Sequence, residues 1–282
     1  MRKYIRFFVV AGAKLLLQIK VFRDIYEEWL ENIQSAHRQD IKNIQSAYSL
    51  SYPPEIESIY KNSGNKISIV YKKNSDLLAG LFERHGSDKG YIQLNNLPYP
   101  WIPHNYSDFY SRLFGYRRES ITKVFECGIG TNDISFPSNM TSNGKPGASL
   151  RAWRDYFPNA FVYGADIDRN VLFEEERIKT FYVDQLNPQS IESCWDEVGE
   201  NEFDVILDDG LHTFEAGVTL FVNSIERLSA TGTYIIEDVS LPDLLRYEAY
   251  FQNTTYKVEY VSLNDRNRSQ LGDNSLVVIE KH

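Results

Sequence analysis

The chain has 282 residues, 42% of them hydrophobic and 14% aromatic, enough to bury a full core as one large domain or as one domain with an appendage. Its formal charge of -9 gives polyanions no attractive surface, which argues against nucleic acid as a partner. Two cysteines, Cys127 and Cys194, match no metal-ligand or redox spacing and are too few for a secreted disulfide framework, so the expected compartment is reducing and cytoplasmic.

The first 23 residues, MRKYIRFFVVAGAKLLLQIKVFR, carry six basic groups and no acid. Lys14 and Lys20 interrupt their apolar run, and no stretch of the chain approaches the ~18 apolar residues of a membrane span. A packed helix is the plainest reading. A basic amphipathic helix lying on a membrane surface or a partner is the second, and a signal peptide without a clear cleavage site the third. Residues 1–75 are assigned to a helical N-terminal extension, interrupted at Pro53 and Pro54. Oligomerisation, peripheral membrane contact and covering of an active site stay open as its role. Residues 76–120 read as a helical and looped cap segment, with loops at HGSDKG and LPYPWIPHNY.

From residue 121 the pattern becomes regular. KVFEC, AFVYGADID, TFYVD, FDVILDD and GTYIIED have the near-continuous apolar character of buried strands. Between them, ASLRAWRDYFP, TFEAGVTLFVNSIERL and PDLLRYEAYF have helical spacing, and Asn187-Pro188 supplies a cap and a first-turn proline for a helix running to about Val198. Strands alternating with helices predict a parallel sheet covered on both faces. YKVEYVSL and NSLVVIEK follow with only polar NDRNRSQLGD between them, so they predict an antiparallel hairpin. The expected fold over 121–282 is α/β: a doubly wound, mostly parallel seven-stranded sheet ending in that hairpin.

In such a sheet, ligands bind outside the carboxyl ends of the strands. The residues expected there are Glu126, Gly128 and Gly130; Asp166, with Asp168 behind it; Asp184; Asp208, Asp209 and His212; and Glu237 and Asp238. Five successive tips in carboxylate repel one another unless something cationic or rich in hydroxyls lies among them. The turn in VFECGIGTND is not a dinucleotide fingerprint. Its third glycine position holds Asp133, and the irregular ISFPSNMTSNGKPG delays the helix a pyrophosphate requires. S-adenosylmethionine has no phosphate. Its ribose fits Asp166, its adenine amino group fits Asp184, and the glycine turn with Glu126 borders the rest.

Together with the terminal hairpin, this pattern resembles the class I S-adenosylmethionine-dependent methyltransferases over residues 121–282. SDKG (87–90), HNYSDFYSRLF (104–114), GASLRAWRDYFP (147–158), YGADID (163–168), DDGLH (208–212) and IIED (235–238) further resemble the metal-dependent sugar O-methyltransferases of macrolide biosynthesis, those of the mycinamicin and tylosin pathways. The resemblance reaches upstream to about residue 76. It implies a magnesium ion on Asp209, Glu237 and Asp238, His212 as general base, Asp208 as a base or ligand, and His104 and Tyr106 bordering the donor or acceptor. One departure is Thr131-Asn132, where many members of the family carry a further glycine.

These residues make chemical sense in those roles. Magnesium takes oxygen ligands and keeps waters that a sugar diol can replace. A bound cation lowers the pKa of a coordinated hydroxyl, and a neutral histidine accepts its proton. Each also has a plainer reading: His212 as a cap contact of the following helix, the carboxylates as caps and salt bridges, GSDKG as a loop, Tyr99 and Trp101 as packing groups. The expected activity is S-adenosylmethionine-dependent methylation of a sugar hydroxyl on a glycan, a sugar nucleotide or a glycosylated natural product. Polysaccharide biosynthesis is one setting, with a homo-oligomer as a possible assembly. A methyltransferase of a small phosphorylated metabolite, a hydroxylase-like or oxidoreductase relative on the same fold, and a non-catalytic scaffold are the alternatives.

Overall fold

The apolar runs pair side by side in the order the alternation predicts. A computed structural model describes residues 66–70, 77–90, 98–99, 101–264 and 272–281, all within one compact unit, Asn62–His282. The expected helix over the first 23 residues lies outside the described residues. The helices are α1 Leu77–His85, α2 Tyr106–Phe114, α3 Ala148–Tyr156, α4 Pro188–Val198, α5 Phe214–Ser224 and α6 Leu241–Tyr250. The strands are β1 Lys66–Val70, β2 Lys123–Cys127, β3 Phe161–Asp166, β4 Glu174–Glu175, β5 Ile178–Tyr182, β6 Phe203–Asp208, β7 Leu228–Ile236, β8 Lys257–Asn264 and β9 Ser275–Glu280.

Among the described residues the sheet has nine strands, not seven, in the order β1-β8-β9-β7-β6-β2-β3-β5-β4. The seven expected strands run from β5 to β8 and contain the hairpin: β9 returns between β7 and β8, antiparallel to both. The two additions sit at the edges. β1 pairs parallel with β8, so 66–70 is strand where the sequence reading extended a helical segment to residue 75. Its β-branched Ile67, Ile69 and Val70 favour that outcome. The two-residue β4, antiparallel to β5, is too short to leave a periodic signal.

Local chemistry sets the helix starts. Asn187 accepts from the amides of Gln189 and Ser190 ahead of Pro188, and Thr213 accepts from the Ala216 amide. Helices cover both faces of the sheet. One core layer joins α1, α2 and α3 to Val124, Val162, Val205, Leu207 and Ile235. The other joins α4, α5 and α6 to Phe125, Cys127, Ile206, Tyr234 and Ile236. Successive strand residues fall on opposite faces, and this parity decides where each strand-end carboxylate points. No described helix is long and apolar enough to cross a membrane.

Candidate active site

The β2 and β6 ends approach so closely that only glycine fits between them. Gly128 has φ +87°, and a Cβ there would collide with the Asp209 carbonyl. The Asp209 amide donates to the Cys127 carbonyl at 2.8 Å and the Gly128 amide to that of Ala165 at 2.8 Å, so the three strand ends are tied beyond the last ladder pair. The close approach that sequence reasoning assigned to a ligand is, at Gly128, an approach to the next strand. At Gly130 (φ +84°) it is an approach to Met140. Gly128→Ala is expected to cost about 3 kcal/mol in urea unfolding, from the left-handed conformation and the backbone clash together. A wild-type midpoint would contradict that packing.

Asp166 closes the turn from the side. Its carboxylate accepts from the amides of Ile129 and Asp168, both at 2.9 Å, and burial raises its pKa. Asp168 accepts the Thr131 hydroxyl at 2.5 Å. The chain then runs through an irregular loop, fastened by Met140 N–H to the Thr131 carbonyl (2.7 Å) and Asn132 Nδ2 to that of Thr141 (2.6 Å). α3 begins at Ala148, and the Gly147 amide just ahead of it donates to the Ile129 carbonyl at 2.7 Å, so the loop returns the helix N-terminus to the glycine turn, where Ala148 and Ser149 line the cavity. The result is a cavity of about 410 Å³, within the range of small-molecule sites. Gly128, Gly130, Asp166 and Asp184 line it, with Ile167 and Leu186. Asp209, His212, Asp238, His104, Trp101 and Lys89 line it as well.

Three carboxylates of the first core layer's parity, Glu126, Asp209 and Glu237, gather at neighbouring strand ends around one ammonium. Lys89, 2% exposed, donates to Asp209 Oδ2 at 2.6 Å and to Glu237, and lies 3.6 Å from Glu126 Oε1. Burial pulls the Lys89 pKa down, but Asp209, Glu237 and Glu126 outweigh it and hold it well above the ordinary value. Burial drives Glu126 up to about 7, against Lys89. Glu237 also accepts the Tyr110 hydroxyl, so its carboxylate is turned into this buried cluster and does not line the cavity. Glu126 does not line it either. Trp153 Nε1 donates to its Oε2 at 2.7 Å beneath α3.

Asp209 and Asp238 each anchor one oxygen and present the other. Asp209 Oδ2 holds Lys89, while Oδ1 lies 3.4 Å from His212 Nε2. Asp238 Oδ1 accepts the Tyr106 hydroxyl at 2.6 Å with His104 Nε2 at 3.5 Å, while Oδ2 lies 3.5 Å from His212 Nδ1. Ligand atoms of Asp209, His212 and Asp238 lie within 4.8 Å of one another, so they can converge on one small cation. Two of these three residues have left-handed backbones, His212 (φ 57°) and Asp238 (φ 53°), a strain that collects at functional sites. Burial would lower the His212 pKa, but Asp238 and Asp209 prevail and raise it to about 10.

The other expected site residues have structural surroundings. Tyr106 is buried under Asp238, stacked on His104 with ring centroids 4.6 Å apart, and does not line the cavity. Asp208 has the opposite parity to Asp209. It faces Gly217 and Tyr247, accepts Gln185 Nε2 at 2.6 Å, and burial raises its pKa to about 6. It reaches the cavity lining through the Gly210 amide, at 3.3 Å, and through Gln185, whose Oε1 accepts the Leu211 amide at 2.9 Å. Burial raises the pKa of both cysteines, Cys194 to about 12, so both are packing groups. Sequence reasoning left GSDKG, with Lys89, between a plain loop and an active-site contact, and it missed Gln185. Strand parity is the signal for the first, since it places three buried acids on one face.

Comparison with known proteins agrees with the fold and with the motifs. No protein-family model matches the chain. Over 162 residues it is 35% identical to the 8-demethyl-8-alpha-L-rhamnosyl tetracenomycin-C 2'-O-methyltransferase of Streptomyces olivaceus, a match covering 57% of this chain and 37% of that protein. Over 136 residues it is 30% identical to the mycinamicin VI 2''-O-methyltransferase of Micromonospora griseorubida, covering 48% and 32%. The chain thus matches only about a third of the length of these curated relatives. Among solved structures it superposes on a methyltransferase of the mycinamycin biosynthetic pathway in complex with Mg and SAH, with TM-score 0.51 and 20% identity, covering 74% of this chain and 55% of that one. The described residues therefore carry the class I methyltransferase fold, in a chain whose sequence is similar to sugar O-methyltransferases of natural-product pathways.

Proposed function

We propose that this chain is an S-adenosylmethionine-dependent, divalent-cation-dependent O-methyltransferase acting on a sugar hydroxyl of a glycosylated small molecule. One observation carries the reading. One cavity is lined both by the Gly128–Gly130 turn with Asp166 and Asp184 and by Asp209, His212 and Asp238. The first set fits a ribose and adenine without phosphate. The second fits a hard cation with oxygen donors and room for a diol.

When bound, the methyl donor supplies an electrophilic methyl group and the cation lowers the pKa of a coordinated hydroxyl. The chain's own residues do the rest. The glycine turn and Asp166 hold the donor's ribose end. Asp209 Oδ1 and Asp238 Oδ2 fix the acceptor side, and His212, whose side chain is 31% exposed, takes the acceptor proton. His212 loses its reason to stay protonated once the two carboxylates share their charge with a cation. Asp208 acts at one remove, by positioning Gln185. Much of the acceleration comes from alignment of donor and acceptor across one cavity. Surface glycans and sugar nucleotides belong to the acceptor screen alongside glycosylated natural products. The basic segment 1–23, read as an amphipathic helix, would add a partner or membrane contact.

Calorimetric titration with S-adenosylmethionine and with NAD, each with and without magnesium, tests the class. Micromolar binding of the methyl donor alone is expected. Asp166→Ala should weaken it roughly 10–100-fold, the worth of hydrogen bonds to a charged acceptor. NAD binding, binding of neither ligand, or an unchanged Asp166→Ala affinity would each contradict the reading.

A further inference from the structure

Lys89 belongs to the loop after α1, outside the parallel sheet, yet its ammonium is buried among carboxylates from three adjacent strand ends. Its backbone is fixed as firmly as its charge. The Ser107 amide donates to the Lys89 carbonyl at 2.8 Å, and the His104 amide to that of Asp88 at 2.7 Å. A Cβ at Gly90 would press on the Ser107 side chain, so this loop lies directly against the start of α2. An ammonium stripped of water is tolerated only where its charge and its donors are answered, and here Asp209, Glu237, Glu126 and Asp88 answer it.

The same ammonium constrains what Asp209 and Glu237 offer a second cation. Asp209 Oδ2 is committed to Lys89, so only Oδ1 is turned towards His212 and the cavity. Glu237 is engaged by Lys89 and Tyr110 and does not line the cavity, which Lys89 itself borders, so the carboxylate cluster is divided between the lysine and an open side.

We propose that Lys89 is a resident cation and positioning residue: it aims Asp209 and withholds Glu237, and it weakens the grip of the open Asp209–Asp238 side on a divalent ion. This rests on the reading that those carboxylates bind such an ion. The consequence is a cation that exchanges from the full-length protein, held by fewer carboxylates than the cluster contains. A lysine serving only to fill the core would affect stability and leave ion affinity alone.

The test uses Mn²⁺ as the probe on the full chain, with titration calorimetry for affinity and thermal melts in EDTA for stability. Lys89→Met is expected to melt at lower temperature in EDTA, because it strands buried carboxylates, and to bind Mn²⁺ about tenfold or more tightly, since a positive charge next to the ligands is gone. Mn²⁺ should then raise its melting temperature more than it raises that of the wild type. Glu237→Gln and Lys89→Met/Glu237→Gln form a second pair that leaves fewer stranded charges. There too, loss of the lysine should tighten Mn²⁺ binding. Unchanged or weaker Mn²⁺ affinity in either folded Lys89 variant, beside a wild type that binds the ion, overturns the Lys89 proposal alone. No Mn²⁺ binding by the wild type or any variant overturns the cation site and this inference together.

Discussion

The His212→Ala protein is expected to bind S-adenosylhomocysteine and Mn²⁺ within about threefold of wild type while turning over roughly 10²–10⁴-fold more slowly, the range for loss of a positioned general base. The geometry separates these two quantities. The Asp166 carboxylate is held by the Ile129 and Asp168 amides and that of Asp184 by the Leu186 amide, so these donor-binding residues keep their anchors after the substitution. The anchors of the two carboxylates, Lys89 on Asp209 and Tyr106 on Asp238, also remain. The removed ring has each nitrogen 3.4 to 3.5 Å from an oxygen that faces the cavity, a position from which it reaches either the acceptor proton or the cation itself. Mn²⁺ affinity decides between those roles. If it collapses along with turnover, His212 is a ligand and the base lies elsewhere. Retained turnover would remove the histidine from the chemistry. Alanine at 212 inherits a left-handed backbone that suits it no better than histidine, so stability changes little from that source.

Much of the fold was legible because two simple signals agree. Apolar runs such as KVFEC and FDVILDD became β2 and β6, and the Asn187-Pro188 pair opened α4 at the expected residue. The edge strands were less legible. β4 is two residues long, and β1 stands apart from the alternating pattern, so only its β-branched content marks it. At the site, the sequence shows which acids end the strands but not which way they face. Parity explains the split. Asp208 and Asp209 are neighbours in sequence and point to opposite sides, whereas Glu237 and Asp238 both reach tyrosines of α2, because the left-handed backbone at Asp238 breaks the alternation. The burial of Lys89 depends on contacts 120 and 148 residues away in the chain, beyond any local pattern. The two glycines were identified correctly as close-approach positions, but the object approached was another part of the chain.

Chelation with EDTA is expected to abolish methyl transfer, magnesium to restore it, and Asp238→Asn to lower both Mn²⁺ affinity and magnesium-supported turnover by roughly 10²-fold or more, since loss of mere outer-shell partners already costs 10–100-fold. The asparagine keeps an oxygen that can accept from Tyr106, so the anchoring side of residue 238 is preserved while the charge facing the cavity is lost. The substitution has a second consequence of opposite sign. Burial lowers the His212 pKa, and Asp238 is the foremost charge that raises it again, so the variant's histidine sheds its proton more readily than the wild type's. A mechanism that needed only a neutral base would therefore speed up at neutral pH in Asp238→Asn. A mechanism that needs the carboxylate pair to hold a cation slows down, because one of its two open oxygens has become a neutral amide. The direction of the change thus reports which demand dominates, independently of the chelator. Full activity in EDTA together with a faster Asp238→Asn enzyme would place the proton transfer alone at the centre of catalysis, and leave Asp209 and Asp238 as the groups that tune His212.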